Sequence, residues 1–299
     1  MKMKKRKGQV WLLVVNIALL LAVIAGTGVL IVRSDWRYAL FDQFRGRNPV
    51  EKTTLTLSGE DCRTVPVEDI LAGNAEGILA DQSLLLVNGD HRLGGEYQPN
   101  VVEFRQTGLY LDQAVVQPLE QLLAANTKAT EEKMLLVSTY RTAEEQAQVL
   151  EEEAGVAAQV GASEHQTGLG LDVCVSGKAQ RRFIDSKTGV WVDQNGWQYG
   201  FIIRYPLFKQ AETGQGYEPW HLRYVGKPHA ELIYRSRMTL EEYLESLDTG
   251  AFYSYGGYGF SLQEPDENGA LSIPSSWLEI TVSPDNTGRY MITGRIPNS

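Results

Sequence analysis

Sulfur and imidazole are scarce in this sequence, with two cysteines and four histidines in 299 residues. Two cysteines cannot staple a small disulfide scaffold or build a four-cysteine zinc module. Ser-x-x-Lys, Gly-x-Ser-x-Gly and His-Glu-x-x-His are all missing, which excludes the serine penicillin-binding, α/β-hydrolase and zincin mechanisms in their usual form. Lys187-Thr188-Gly189 matches a triplet of the first class, but without that nucleophile it carries nothing. Basic surface is also lacking. The net charge is -9, and residues 1–32 hold five basic side chains (Lys2, Lys4, Lys5, Arg6, Lys7) and no acids, so the rest has 23 basic against 37 acidic groups. So acidic a body argues against nucleic acid as a partner. A hydrophobic share of 43% with 22% charged residues is globular, which excludes disordered, collagen-like and coiled-coil chains.

One long apolar run is present. Val10 to Val32 is 23 residues without a charge. At the helical rise it spans roughly 34 Å, against a hydrocarbon core of about 30 Å. The competing reading is a cleavable signal peptide cut after Val23-Ile24-Ala25. Apolar sequence continues seven residues past Ala25, so an uncleaved anchor is favoured. The cluster of lysines before it sets the N-terminus inside and the body outside, although Arg37, Arg45 and Arg47 dilute the bias. Both readings export the body.

Residues 33–77 mix charges, Thr, Gly and Pro, and read as a membrane-proximal stalk. A main domain is expected over 78–248. There Leu84–Val87 reads as a buried strand closed by Asn88-Gly89. Val115, Leu119, Leu122 and Leu123 have helical spacing, with Pro118 expected in the first turn. Met134–Val137 is a strand candidate leading into a helix. Thr142 and Glu145 form a capping box there, and Ala143, Ala147 and Leu150 an apolar face. Residues 169–176 alternate, with Leu169, Leu171, Val173 and Val175 on one side and Gly168, Gly170, Asp172 and Cys174 on the other. Trp277–Val282 and Tyr290–Ile296 flank a Pro-Asp-Asn-Thr-Gly turn, so residues 249–299 read as an appended β-hairpin.

Two of the four histidines sit in metal-like settings. His165 lies in a glycine-flanked loop feeding the strand that carries Asp172, and His221 lies in Tyr217-Glu218-Pro219-Trp220-His221. Two imidazoles and one carboxylate with an open position make a normal catalytic zinc shell. Glu218 beside it would serve as general base on the water. Glu218 and His221 are three apart, so on a regular strand they face opposite sides; they converge if the strand starts at or after Pro219. Cys174 would close the shell as a fourth ligand and is left out. His91 and His229 read as surface residues, and Arg204 and Arg223 as structural ion-pair partners. Trp191, Trp197 and Trp220 read as core or cleft wall.

Residues 84–245 resemble the VanY-type D-alanyl-D-alanine carboxypeptidases, a group of zinc peptidases. The matching passages are Leu85-Leu86-Val87-Asn88 with Tyr97-Gln98-Pro99, Tyr140-Arg141 with Gln146, Ser163 to Asp172, Tyr199 to Pro206, Tyr217 to Gly226, and Leu240 to Leu244. Gly89 and Leu93-Gly94 depart from the family's pattern at the entrance loop. The resemblance implies His165, Asp172 and His221 as zinc ligands, Glu218 as catalytic base and Arg141 as the residue that binds substrate or steadies the oxyanion. It implies an α+β fold: a small, mostly antiparallel sheet with helices around it and a zinc site. The activity it implies is removal of the terminal D-Ala from peptidoglycan stem peptides. The alternatives are a D,D-dipeptidase, a cell-wall endopeptidase of the same group, or a non-catalytic wall-binding module. A Cys62–Cys174 disulfide is not expected, because Cys174 shares the face of Asp172 and Cys62 falls in the stalk.

Overall fold

The computed structural model describes residues 36–38, 42, 50–152 and 157–297. The apolar run 10–32 lies outside the described residues. Among the described residues no helix is long and apolar enough to cross a membrane.

Strands β1 (Thr53–Leu55), β2 (Cys62–Pro66) and β3 (Ile78–Ala80) come first, with helix α1 (Val67–Leu71) between the last two. β4 (Val101–Glu103) and β5 (Tyr110–Asp112) pair antiparallel and lead directly into helix α2 (Gln113–Thr130). The Asp112 carboxylate accepts from the Ala114 amide at 2.9 Å and caps α2. This cap sets the helix start, which puts Pro118 in the second turn rather than the first.

The central domain continues with β6 (Leu135–Ser138), helix α3 (Ala143–Glu152), β7 (Gly170–Cys174), α4 (Lys187–Asn195), β8 (Phe201–Tyr205), α5 (Gln210–Thr213) and β9 (Glu218–Tyr224). Helices α6 (His229–Ser236) and α7 (Leu240–Glu245) follow. Its sheet has the order β6-β7-β9-β8 and is antiparallel throughout. The alternation in β7 divides its two faces. Leu171 and Val173, with Leu222 and Phe201 from neighbouring strands, pack on Val115, Leu119 and Leu122 of α2 in one buried core. Gly170, Asp172, His221 and Arg223 are left for the opposite face, where the register pairs Asp172 with His221 and Gly170 with Arg223.

Four local expectations are corrected. Leu84–Val87 is buried but joins no ladder; its backbone is satisfied by Arg223, which donates to the carbonyls of Ser83 and Leu85, and by Ser283 Oγ and the Asp285 carbonyl. In α3 the capping box of Thr142 and Glu145 forms at 2.8 and 3.1 Å, yet the buried residue is Gln146 and Ala143 is exposed. His229 is buried, not superficial, because Tyr243 and Thr293 close over both ring nitrogens. The C-terminal region is also more than a hairpin. β10 (Phe252–Tyr255), β11 (Tyr258–Gln263), β13 (Leu278–Pro284) and β14 (Tyr290–Arg295) join β1 and β3 in one sheet of order β1-β10-β11-β14-β13-β3, while β12 (Ala270–Pro274) pairs with β2. Residues 53–66, placed in the stalk by composition, are therefore built into the C-terminal β unit. The two strands in that stretch, β1 and β2, are three and five residues long, and their pairing partners lie some two hundred residues away in sequence.

Candidate metal centre

The open face of the central sheet gathers the residues with metal-binding chemistry. One donor atom from each of His165, Asp172 and His221 lies within 4.8 Å of the other two. Asp172 and His221 are brought together by the β7–β9 register. His165 arrives from a short 3-10 turn, Glu164–Thr167, closed by Gly168 at φ +74°. A side chain at Gly168 would sit 2.6 Å from the Asp112 backbone nitrogen, so the turn presses against the start of α2. His165 and His221 are nearly fully buried, whereas the Asp172 side chain keeps 20% of its exposure and opens the cluster to solvent.

The hydrogen bonds around the cluster fix which atoms face inward. His165 Nδ1 donates to the Thr139 carbonyl at 2.7 Å, and the Arg141 amide returns a bond to the His165 carbonyl at 3.0 Å. This two-point latch holds the ring and leaves Nε2 facing Asp172 Oδ2 at 3.4 Å. Burial pushes the His165 pKa down and so favours the neutral ring, with a lone pair at Nε2. A bare imidazole nitrogen facing a carboxylate oxygen is repulsive unless a cation lies between them, so the residues fit a metal ion. His221 Nδ1 lies 2.8 Å from Asp172 Oδ1. Burial opposes the charged carboxylate of Asp172, but the two imidazoles beside it outweigh that and hold its pKa far below the ordinary range. For His221, burial again opposes charge, and the flanking Asp172 and Glu164 carboxylates raise its pKa to about 9.

Beneath the cluster is a buried ionic frame. Glu164 Oε1 accepts from Arg204 Nε and from Arg223 Nη1, each at 2.6 Å, with all three side chains fully buried. Arg204 in turn forms a two-point pair with Glu241 at 2.6 and 2.8 Å, and Glu241 also accepts from Asn88 at 3.0 Å. Two arginines and two glutamates neutralise one another, so the frame costs less to bury than any member alone. Arg204 and Arg223 are structural ion-pair partners, the role expected of them ahead of substrate contact. Glu164 is the residue that the sequence reading passed over. Its side-chain role had no signal there, since it precedes His165 and its partners lie 40 and 59 residues away.

Arg141 is latched to His165 through the backbone, and its Nη1 donates to Gln146 Oε1 at 3.0 Å. Glu218 opens β9 opposite Tyr205, whose ring lies 5.0 Å from that of His221. The strand starts at Glu218, before Pro219, so the expected late start does not occur. The ladder instead jumps from Ile203–Leu222 to Tyr205–Glu218, so two residues of β8 are spanned by four of β9. Strict alternation therefore fails between Glu218 and His221. Both cysteines are free thiols.

A His-Asp-His cluster on an open sheet face, set over a buried ionic frame, has the donor set that could hold a single metal ion, as in the mononuclear metallohydrolases. The family of D-alanyl-D-alanine carboxypeptidases called VanY matches residues 108–227. A D-alanyl-D-alanine carboxypeptidase of Enterococcus faecium is 37% identical over 193 residues, which is 62% of this chain and 62% of that enzyme's own length. The bifunctional D-Ala-D-Ala dipeptidase and D-Ala-D-Ala carboxypeptidase VanXYC of Enterococcus gallinarum is 37% identical, over 55% of this chain and 95% of its own. Among solved structures, the LD-carboxypeptidase LdcB, described with its peptidoglycan recognition, superposes with a TM-score of 0.51 at 34% identity, covering 58% of this chain and 92% of that one. The chain belongs to the VanY D-alanyl-D-alanine carboxypeptidase family.

Proposed function

We propose that this chain is a zinc-dependent D-alanyl-D-alanine carboxypeptidase that removes the terminal D-Ala from peptidoglycan stem peptides. The observation that carries this reading is the cluster of His165, Asp172 and His221, in which a buried neutral imidazole faces a carboxylate. These three residues would hold the metal. Zinc in a three-residue shell with an open position lowers the pKa of water to about 7 and polarises a carbonyl. Glu218 takes the proton of the attacking water as its oxygen bonds to the scissile carbonyl carbon, then passes that proton to the D-alanine nitrogen as the C–N bond breaks. Arg141, held by Gln146 and by the latch to His165, supplies the cation for the substrate carboxylate or the oxyanion. Residues 10–32 anchor the chain as a single-pass span, with the catalytic body outside the cytoplasm.

The test is mass spectrometry of a pentapeptide stem incubated with the purified protein, with and without zinc chelation. Release of one free D-alanine, abolished by the chelator and restored by zinc, is the expected result. Release of the intact dipeptide would establish the dipeptidase activity that the VanXYC relative also has, and cleavage within the stem an endopeptidase. Binding without turnover would establish a wall-binding module.

A further inference from the structure

We infer that Glu164 is a positioning residue that sets the tautomer of His221, so that Nδ1 and not Nε2 is its metal donor. The inference rests on the metal-site reading above and goes beyond it, to a residue that touches neither metal nor substrate. Two buried atoms at the centre of the site, Glu164 Oε2 and His221 Nε2, have no hydrogen-bond partner elsewhere. They face each other at 3.5 Å. The other oxygen of the same carboxylate is already committed to two guanidinium groups. Arginine can only donate, so the two guanidiniums fix Oε1 as an acceptor and leave Oε2 as a second acceptor aimed at the ring. An acceptor there demands a proton on Nε2, so when a metal displaces the proton that Nδ1 shares with Asp172, the neutral ring keeps Nε2–H and offers its lone pair at Nδ1.

The backbone makes room for this arrangement. A side chain at Gly170 would lie 3.0 Å from Glu164 Cβ and 3.1 Å from His221 Nε2, so glycine lets ring and carboxylate approach over the strand. The frame also makes Glu164 hard to replace. In Glu164→Gln the amide must still turn its oxygen to Arg204 and Arg223. Its NH2 group then points at His221 Nε2 and favours the opposite tautomer, with the proton on Nδ1 where the metal should bind.

The test uses the full chain in detergent, in wild-type form and as Glu164→Gln. Zinc affinity is measured by competition with a chromophoric chelator, and histidine ring tautomers by long-range 15N–1H correlation. Wild type loaded with zinc should show His221 protonated at Nε2. Glu164→Gln should still take up one zinc at saturation but bind it 10–100-fold more weakly. Glu164→Asp, which keeps the acceptor and shortens its reach, should recover part of that loss. An unchanged zinc affinity in a folded Glu164→Gln overturns the inference. If that variant does not fold, the wild-type spectrum decides: a zinc-loaded His221 with its proton on Nδ1 overturns it as well. A wild-type chain that binds no zinc refutes the metal reading itself, and the inference falls with it.

Discussion

Acid should destabilise this fold through one histidine outside the His165, Asp172 and His221 cluster. His229 opens α6 and is 1% exposed. Its two nitrogens meet Tyr243 Oη at 2.7 Å and Thr293 Oγ1 at 2.8 Å, and its ring packs edge-on against Tyr243 and Phe260. No carboxylate appears among these partners, so nothing offsets the cost of charging the ring, and burial lowers its pKa from 6.5 to about 3. The unfolded chain therefore binds a proton that the folded chain refuses between pH 6.5 and 3. Stability from this group is complete above pH 6.5 and is lost as pH falls through that window. At pH 5 the loss is about 2 kcal/mol relative to pH 8. For a body of this size that is roughly 4–8 °C in Tm. Other groups titrate in the same range, so the measurement is a difference. Wild type and His229→Gln are melted from pH 8 to pH 5 with chelator in every sample, which removes the metal's own pH dependence. The substituted side chain cannot be charged, so wild type should lose about 2 kcal/mol more than the variant across the interval. Parallel curves for the two proteins would refute the reasoning.

Glu218→Gln should keep close to one zinc per chain while turnover falls about 10²–10⁴-fold, whereas His165→Ala, Asp172→Ala and His221→Ala should lose metal and activity together. Metal analysis beside a D-alanine release assay separates the two, and a Glu218→Gln that loses its zinc while Asp172→Ala keeps it would reverse the ligand and base assignments. Gly168→Ala should destabilise by more than about 1–2 kcal/mol, since the left-handed backbone and the approach to α2 both oppose a Cβ; urea titration checks it, and a neutral effect would mean that the turn can relax. Protease added to intact protoplasts should digest the body, and complete protection would refute the exported topology.

The clustering of His165, Asp172 and His221 was legible because the chemistry of the open face is carried by local pattern. Alternation along residues 169–176 separates Leu171 and Val173 from Asp172, and two of the four histidines lie in the passages that meet on that face. The β13–β14 hairpin was legible for the same reason, as its turn is contiguous in sequence. β1, β2 and β3 were not. Each is five residues or fewer and has no period long enough to stand out, so partners from the far end of the chain decide its structure. Leu84–Val87 was misread because burial and strand pairing were treated as one property. A buried backbone needs hydrogen-bond partners, but a guanidinium can supply them as well as a neighbouring strand.

That last substitution links the fold to the site. Arg223 donates to the carbonyls of Ser83 and Leu85 with one nitrogen and to Glu164 with another, so the segment before the entrance loop and the carboxylate beneath His221 share one cation. Arg204 extends the link through Glu164 to Glu241 on α7, and Glu241 returns to Asn88 at the end of the same buried run. Five of the passages that carried the family resemblance, Leu85–Asn88, Ser163–Asp172, Tyr199–Pro206, Tyr217–Gly226 and Leu240–Leu244, are tied together by this frame, whereas Tyr97–Pro99 and Tyr140-Arg141 with Gln146 lie outside it. Replacing such a frame with apolar side chains of similar volume is often neutral or stabilising for a protein, whereas breaking one partner costs about 3–5 kcal/mol. Stability alone therefore does not require these four charges. Glu164 has a further demand on it, because an apolar residue at position 164 would bury His221 Nε2 with no acceptor opposite it.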